Sequence, residues 1–312
     1  MSKSKNFIAC CIILLAMLAG CLIGGFFDAK RLGVDYFEEK VHTVAVDDMD
    51  DLSEMENSFH NNVMTLEQDL TISEFCELAT KELPFIGVFD GKGHTVTFTY
   101  ETQYSLFGYI GEGGVVKNLN IIVKSTTFDN KKGGIFAIEN AGRIENCTLT
   151  VQSAKVEVKG NYGGIVAINR GLIKNVVSNV SFENDMSAEE AENNSRITLG
   201  GVCAYNYGTI NSCIAHTQFS KFDATDSQKI FDGTATNNSI GAIYGIRNKG
   251  ELKHSNAILA EGVYVSDRND KEIAFKKSKS EVYTDENLFV TLGFDENVWE
   301  LVHEEFNLIQ GD

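Results

Sequence analysis

The sequence predicts an all-β chain wound as a solenoid of stacked coils. Three observations carry the prediction: a motif that recurs, columns of like residues when its copies are aligned, and a composition with 28 Gly and a single Pro. The motif is an Asn-x-Gly turn followed by a β-rich run. It reads Asn140-Ala141-Gly142-Arg143-Ile144-Glu145-Asn146-Cys147, then Asn169-Arg170-Gly171-Leu172-Ile173-Lys174-Asn175-Val176. It returns as Asn206-Tyr207-Gly208-Thr209-Ile210-Asn211-Ser212-Cys213 and as Asn248-Lys249-Gly250-Glu251-Leu252-Lys253-His254-Ser255. Self-similarity at such a period is the signature of a repeat architecture.

Each part of the repeat has a physical reason. Gly and Asn tolerate positive φ, so Asn140, Gly142, Asn169, Gly171, Asn206, Gly208, Asn248 and Gly250 read as structural turn residues. The runs between turns are short and rich in Val, Ile, Phe and Tyr, which suits strands. One unit cannot bury its own apolar face, whereas stacked units can. Aligned copies give an apolar column of Leu106, Ile135, Ile165, Val202 and Ile243, and a small column of Gly108, Ala137, Ala167, Ala204 and Gly245. Past the turn a third column holds Val116, Ile144, Ile173, Ile210 and Leu252. Two residues further stand Asn118, Asn146, Asn175, Ser212 and His254, which read as a stacked hydrogen-bonding ladder. Almost no Pro interrupts these ladders. Polar insertions at 183–195 and 221–238 lengthen the later coils, as loops on one side of a solenoid can.

In chain order, residues 1–21 form a lipoprotein-type signal segment. Lys3 and Lys5 precede an apolar run, and Leu18-Ala19-Gly20-Cys21 resembles a bacterial lipobox, which implies cleavage before Cys21 and lipidation of its thiol. An uncleaved signal anchor is the alternative, because residues 7–27 carry no charge and are long enough to span a bilayer. Either way the remaining chain lies outside the cytoplasm, attached to the membrane. Residues 22–46 read as a tether and 47–312 as the solenoid domain with its end caps. Leu52, Met55 and Phe59 follow an acidic run at helical spacing and predict a short amphipathic helix sealing one end. The segment Phe85-Ile86-Gly87-Val88-Phe89-Asp90-Gly91-Lys92-Gly93-His94-Thr95-Val96-Thr97 reads as strand, tight Asp-Gly turn and strand. Residues 267–280 read as a solvated loop leaving the last coil.

The formal charge is −17, and without Lys3 and Lys5 the remainder carries −19. That excludes a nucleic-acid partner, since phosphate binding needs a basic stripe. Cys147 and Cys213 share a column with Val176, and Cys203 shares one with Val166, so these cysteines read as small buried apolar residues; a Cys203–Cys213 disulfide is the other pairing open to them. His303-Glu304-Glu305-Phe306-Asn307 starts like a zinc motif but has Asn where the second His must stand, so no metal or cofactor is expected. Arg143, Arg170 and Arg247 lie near turns with Glu139, Asp90 and Glu145, but they share no column, which argues for solubility and edge protection.

The Phe89-Asp90-Gly91-Lys92-Gly93-His94-Thr95-Val96 segment, Leu106-Phe107-Gly108, Lys117-Asn118-Leu119 and the Gly-Gly-Ile-x-Ala units resemble the GLUG-motif proteins. Those are similar to pectate-lyase-like β-helices and occur in bacterial surface proteins, including the non-catalytic part of IgA-protease-type enzymes. Leu292-Gly293-Phe294-Asp295-Glu296-Asn297-Val298-Trp299 resembles the closing segment of that group, where a short helix leads to a Trp-bearing strand; the usual Pro-containing end is missing. The resemblance implies a right-handed parallel β-helix with a short N-terminal capping helix and a small C-terminal helix/strand cap.

These readings lead to a membrane-anchored, extracytoplasmic surface protein without catalytic activity, serving adhesion or binding of a glycan or protein through loops on a rigid solenoid. Loops on a scaffold are where binding sits, so Tyr162, Glu183, Asp185 and Tyr207 are the candidate binding residues. The alternative is a carbohydrate-active enzyme, of the polyuronate-lyase or glycoside-hydrolase type, on the same fold. A cleft combining carboxylates with a base would favour the enzyme; a flat, Asn-rich face would favour the binder.

Overall fold

A computed structural model describes residues 42–47, 51, 62–73, 78–102, 105–128, 131–157, 160–185, 197–220, 239–259, 265–267, 269–285, 287–303 and 305–310. All belong to one unit, His42–Asp312. The signal segment with Cys21, Cys76, the insertion loops at 186–196 and 221–238, and most of the expected capping helix lie outside the described residues.

The chain coils through three parallel sheets. The largest stacks His42–Val46, Asn62–Leu66, Val88–Asp90, Val115–Phe128, Arg143–Val156, Leu172–Asn184, Ile214–Ser220, Ser255–Ile258 and Ile273–Lys276. A second stacks Lys132–Gly133, Asn161–Gly163, Thr198–Gly200 and Ser239–Gly241, and a third Tyr109–Ile110, Ala137–Asn140, Val166–Asn169, Cys203–Asn206 and Tyr244–Arg247. Within each, neighbours pair in parallel with the strands one coil before and after. Parallel strands need a long return connection, and here the rest of the coil supplies it. The result is an all-β, parallel β-helix-like solenoid. Its first rung begins at His42, inside the stretch read as tether.

The third expected column forms as drawn. Val116, Ile144, Ile173, Ile210 and Leu252 stand in register and are buried, and Phe89 extends the column downward. The other two columns shift by one residue at a single copy, on both of its sides: Tyr109 pairs with Glu139, which sets Gly108 opposite Ile138 and not Ala137. Ala137 pairs with Val166, not Ala167, and Phe136 donates its N–H to Ile165 O at 2.9 Å. The cause is Glu139: Ile138-Glu139-Asn140 is one residue longer than Ile168-Asn169, and the stacked Asn side chains hold Asn140 opposite Asn169.

Two asparagine ladders organise the corners. The expected one is present. Asn118, Asn146, Asn175, Ser212 and His254 all have positive φ, between 44° and 55°, which kinks each long strand at one level. Asn146 Nδ2 donates to Asn118 Oδ1 and Asn175 Nδ2 to Asn146 Oδ1, both at 3.3 Å. At Ser212 the hydroxyl turns to Asn211, and Asn175 Oδ1 is left without a partner. The second ladder lies inside the turn residues. Asn140, Asn169 and Asn206 are fully buried, and each Nδ2 donates to the next Oδ1 at 2.9 Å from Asn140 to Asn169 and from Asn169 to Asn206.

The turn glycines are required for a different reason from the one expected. Gly142, Gly171, Gly208 and Gly250 are absent from the positive-φ positions. What excludes a side chain is stacking: a Cβ on Gly171 would sit 2.0 Å from Gly142 O, and one on Gly208 2.1 Å from Gly171 O. The fourth copy departs from the others. Arg247, not Asn248, pairs with Asn206; Asn248 is exposed, and Lys249 takes the left-handed conformation. Nor is the Asp90–His94 segment a hairpin turn. Val88–Asp90 and Thr95–Thr102 both run parallel to Val115–Phe128, so the turn is a corner within one coil.

Beyond Lys276 the chain forms helices Ser280–Tyr283 and Leu288–Leu292, the second closed by Gly293 in the left-handed conformation, then the antiparallel hairpin Trp299–Val302/Glu305–Leu308. The helix and Trp strand are as expected; their position is not. Val282, Leu288, Leu292, Phe294, Trp299, Phe306 and Leu308 pack on Val177, Ile214 and Ile258, which face outward from the large sheet. The module therefore covers the flank of the solenoid. Closure of the last coil falls to Asp267, in the stretch read as a solvated loop. Its buried carboxylate accepts the N–H groups of Ala242, Ile243 and Tyr244 at 3.0, 2.8 and 3.2 Å. One coil earlier, the carbonyls of Ala242 and Ile243 do the same for Gly201 and Val202.

Candidate functional site

Where the C-terminal hairpin runs beside the large sheet it leaves a groove of about 580 Å³, in the range of small-ligand sites. The floor is the outer face of four successive strands. Thr95, Asn120, Thr148 and Val177 stand in one register row, and Ile122, Thr150 and Asn179 in the next. These residues alternate with buried Val96, Leu119, Ile121, Cys147, Leu149 and Val151, so pleating points them away from the core. The wall is the Glu305–Leu308 strand with Ile309 and Gln310, and Glu300 and Tyr283 also line the site. That wall passes directly over Gly93, where a Cβ would meet Ile309 O at 2.5 Å and where φ is +83°. Only glycine fits both conditions.

The floor is held by its own hydrogen bonds. Asn120 Nδ2 donates to Gly93 O at 2.7 Å, and Thr148 Oγ1 donates to Asn120 Oδ1 at 2.6 Å. Asn179 Oδ1, by contrast, is buried without any partner. Beside it in register lies His216, whose imidazole is held below its ordinary range by burial and by Lys279, against a weaker opposite pull from Glu305. Lys279 Nζ pairs with Glu305 at 2.6 Å. The lining thus offers hydroxyls, amides and two carboxylates, with no Lys, Arg or His among its described residues.

The structure separates the four residues expected to bind. Tyr162 is wholly buried, its ring stacked on Phe128 with centroids 5.0 Å apart, so it is a core residue and not a surface contact. Tyr207 is 36% exposed at the turn before the large sheet, with the Arg170 guanidinium 4.8 Å from its ring centre. Glu183 and Asp185 lie at the far end of the same sheet; Glu183 Oε2 accepts from Ser153 Oγ at 3.4 Å, and Asp185 is exposed. None of the four lines the groove. A signal for the groove did exist in the sequence: Val176-Val177, Cys213-Ile214 and Ala257-Ile258 are adjacent apolar pairs, and a strand apolar on both faces carries a second layer.

The three arginines each pair with a carboxylate. Arg143 pairs with Glu145 at 2.6 Å, Arg170 with Glu139 at 2.5 Å and Arg247 with Asp270 at 3.0 Å. Asp90 is paired with Lys117 at 2.9 Å. The His303 segment forms the turn of the hairpin, not a helix. Cys147, Cys203 and Cys213 are buried free thiols, and burial pushes Cys147 and Cys213 up to about 12. Among the described residues no group of three or more His, Cys, Asp or Glu is placed to hold a metal, and no helix is long and apolar enough to cross a membrane.

No family model and no curated protein matches this chain. A solved structure described as "a putative immunoglobulin A1 protease from Bacteroides ovatus" is similar with a TM-score of 0.58 and 16% identity, over 88% of this chain and 94% of that one. At this identity the likeness is one of fold.

Proposed function

We propose that this chain is a right-handed parallel β-helix of the GLUG-motif kind, held at the outer face of a membrane by a lipidated Cys21, and that it binds a glycan or protein ligand without transforming it. One observation carries the binding reading: a preformed groove whose floor is a rigid, hydrogen-bonded sheet face. The repeat columns and the closing helix-to-Trp segment support the family reading, and the lipobox supports the anchor. Against a lyase stands the pairing of each candidate arginine with a nearby carboxylate, away from the groove. The Bacteroides structure is described as a protease, and only its fold is carried over to this chain.

The test has two arms. Metabolic labelling with a fatty-acid analogue should mark the wild-type chain and not Cys21→Ala. Cells displaying the chain should attach to glycan- or matrix-coated surfaces better than cells lacking it; equal attachment across a broad panel rejects the binding role, and unsaturated products from polyuronate with calcium would replace it by the enzyme.

A further inference from the structure

We infer that the groove beside the C-terminal hairpin holds an uncharged, hydroxyl-rich saccharide chain lying along the stacking axis. This rests on the surface-binding reading and adds the class of ligand. The floor presents Thr95, Thr148, Thr150 and Asn179 from strands in register. Neighbouring strands are about 4.8 Å apart, so four rungs offer polar groups repeatedly over roughly 14 Å. A ligand that repeats its own hydroxyls along a chain matches such a surface.

The chemistry of the lining selects further. Thr148 spends its proton on Asn120, so its oxygen is free to accept. Ile122, 40% exposed on the floor, gives an apolar strip for the C–H face of a sugar ring. Charge excludes the other large class of glycans. Glu300 and the Glu305–Lys279 pair stand at the wall, no cation belongs to the described lining, and the whole chain is at −17, so uronate or sulfated chains meet net repulsion and find no free cation in that lining. A cationic sugar has little to gain either, because Glu305 is already engaged by Lys279 and Glu300 lies exposed at the rim.

The experiment uses the full chain purified in detergent, on an array of neutral glucose, mannose and N-acetylglucosamine oligomers. Oligogalacturonate and glucosamine oligomers are printed beside them. Binding is expected to at least one neutral series and not to oligogalacturonate. Thr150→Val keeps shape and Asn179→Leu removes the amide group that Asn179 brings to the floor; each should weaken binding about five- to tenfold, the value of one hydrogen bond. Glu251→Gln, exposed and outside the groove, should leave binding unchanged, and melting curves confirm that all variants fold. A blank neutral series, a preference for charged oligomers, or full binding in both groove variants overturns the inference. Cell attachment separates the two failures: a blank array with attachment intact removes the saccharide alone, whereas loss of both removes the surface-binding reading too.

Discussion

Asn169 and Asn248 occupy the same place in the written repeat, and the structure predicts opposite consequences for removing them. Asn169 is fully buried. It accepts from Asn140 Nδ2 at 2.9 Å and donates to Asn206 Oδ1 at 2.9 Å and Thr209 O at 3.2 Å. Asn169→Ala leaves Asn206 Oδ1 and part of Asn140 without partners in the core. Each buried polar group so stranded costs about 1–3 kcal/mol, and the emptied space adds to this, so the variant should lose about 3–5 kcal/mol. In a domain of this size 1 kcal/mol corresponds to roughly 2–4 °C in Tm, which puts the expected drop near ~10 °C. Asn248→Ala, on an exposed turn, should stay within about 0.5 kcal/mol of wild type. Thermal and urea denaturation followed by far-UV circular dichroism would measure both. Equal and small effects would refute the claim that the inner ladder holds the coils together.

Three further outcomes follow from particular contacts. Gly171→Ala forces a Cβ to within 2.0 Å of Gly142 O and should destabilise by about 3 kcal/mol, whereas Gly113→Ala, with open space but φ of +88°, should cost about 1–2 kcal/mol of backbone strain; urea midpoints distinguish the two. Burial pushes the Asp267 carboxyl from 3.8 up to about 6 despite its three N–H donors. The folded state thus holds that proton more tightly than the unfolded one, and the associated stability is complete below the unfolded pKa and lost as pH rises through about 6. Between pH 3 and 8 wild type should lose about 3 kcal/mol relative to Asp267→Asn, and a constant difference would contradict the assignment. Cys147, Cys203 and Cys213 should resist a thiol reagent at pH 8 until urea unfolds the chain, since burial raises all three thiols, Cys147 and Cys213 to about 12, and leaves almost no thiolate; fast labelling at these positions in the native protein would show them to be open.

The solenoid was legible from the residues because its order is one-dimensional. Every coil places the same side chain over the same neighbour, so columns such as Val116, Ile144, Ile173, Ile210 and Leu252 can be read without coordinates, and the ladder of Asn118, Asn146 and Asn175 with them. Three matters were settled only in space. The one-residue slip at Ala137 arose because buried asparagines, not the apolar run, hold the register. The role of the turn glycines depended on how closely the next coil approaches, which no local propensity records. The groove joins Thr95, Thr150 and Asn179 to Glu300, Glu305 and Gln310, residues far apart along the chain. They meet because apolar side chains on the outer face of the large sheet draw the C-terminal hairpin onto its flank, and that is a property of packing between layers, not of any stretch of sequence.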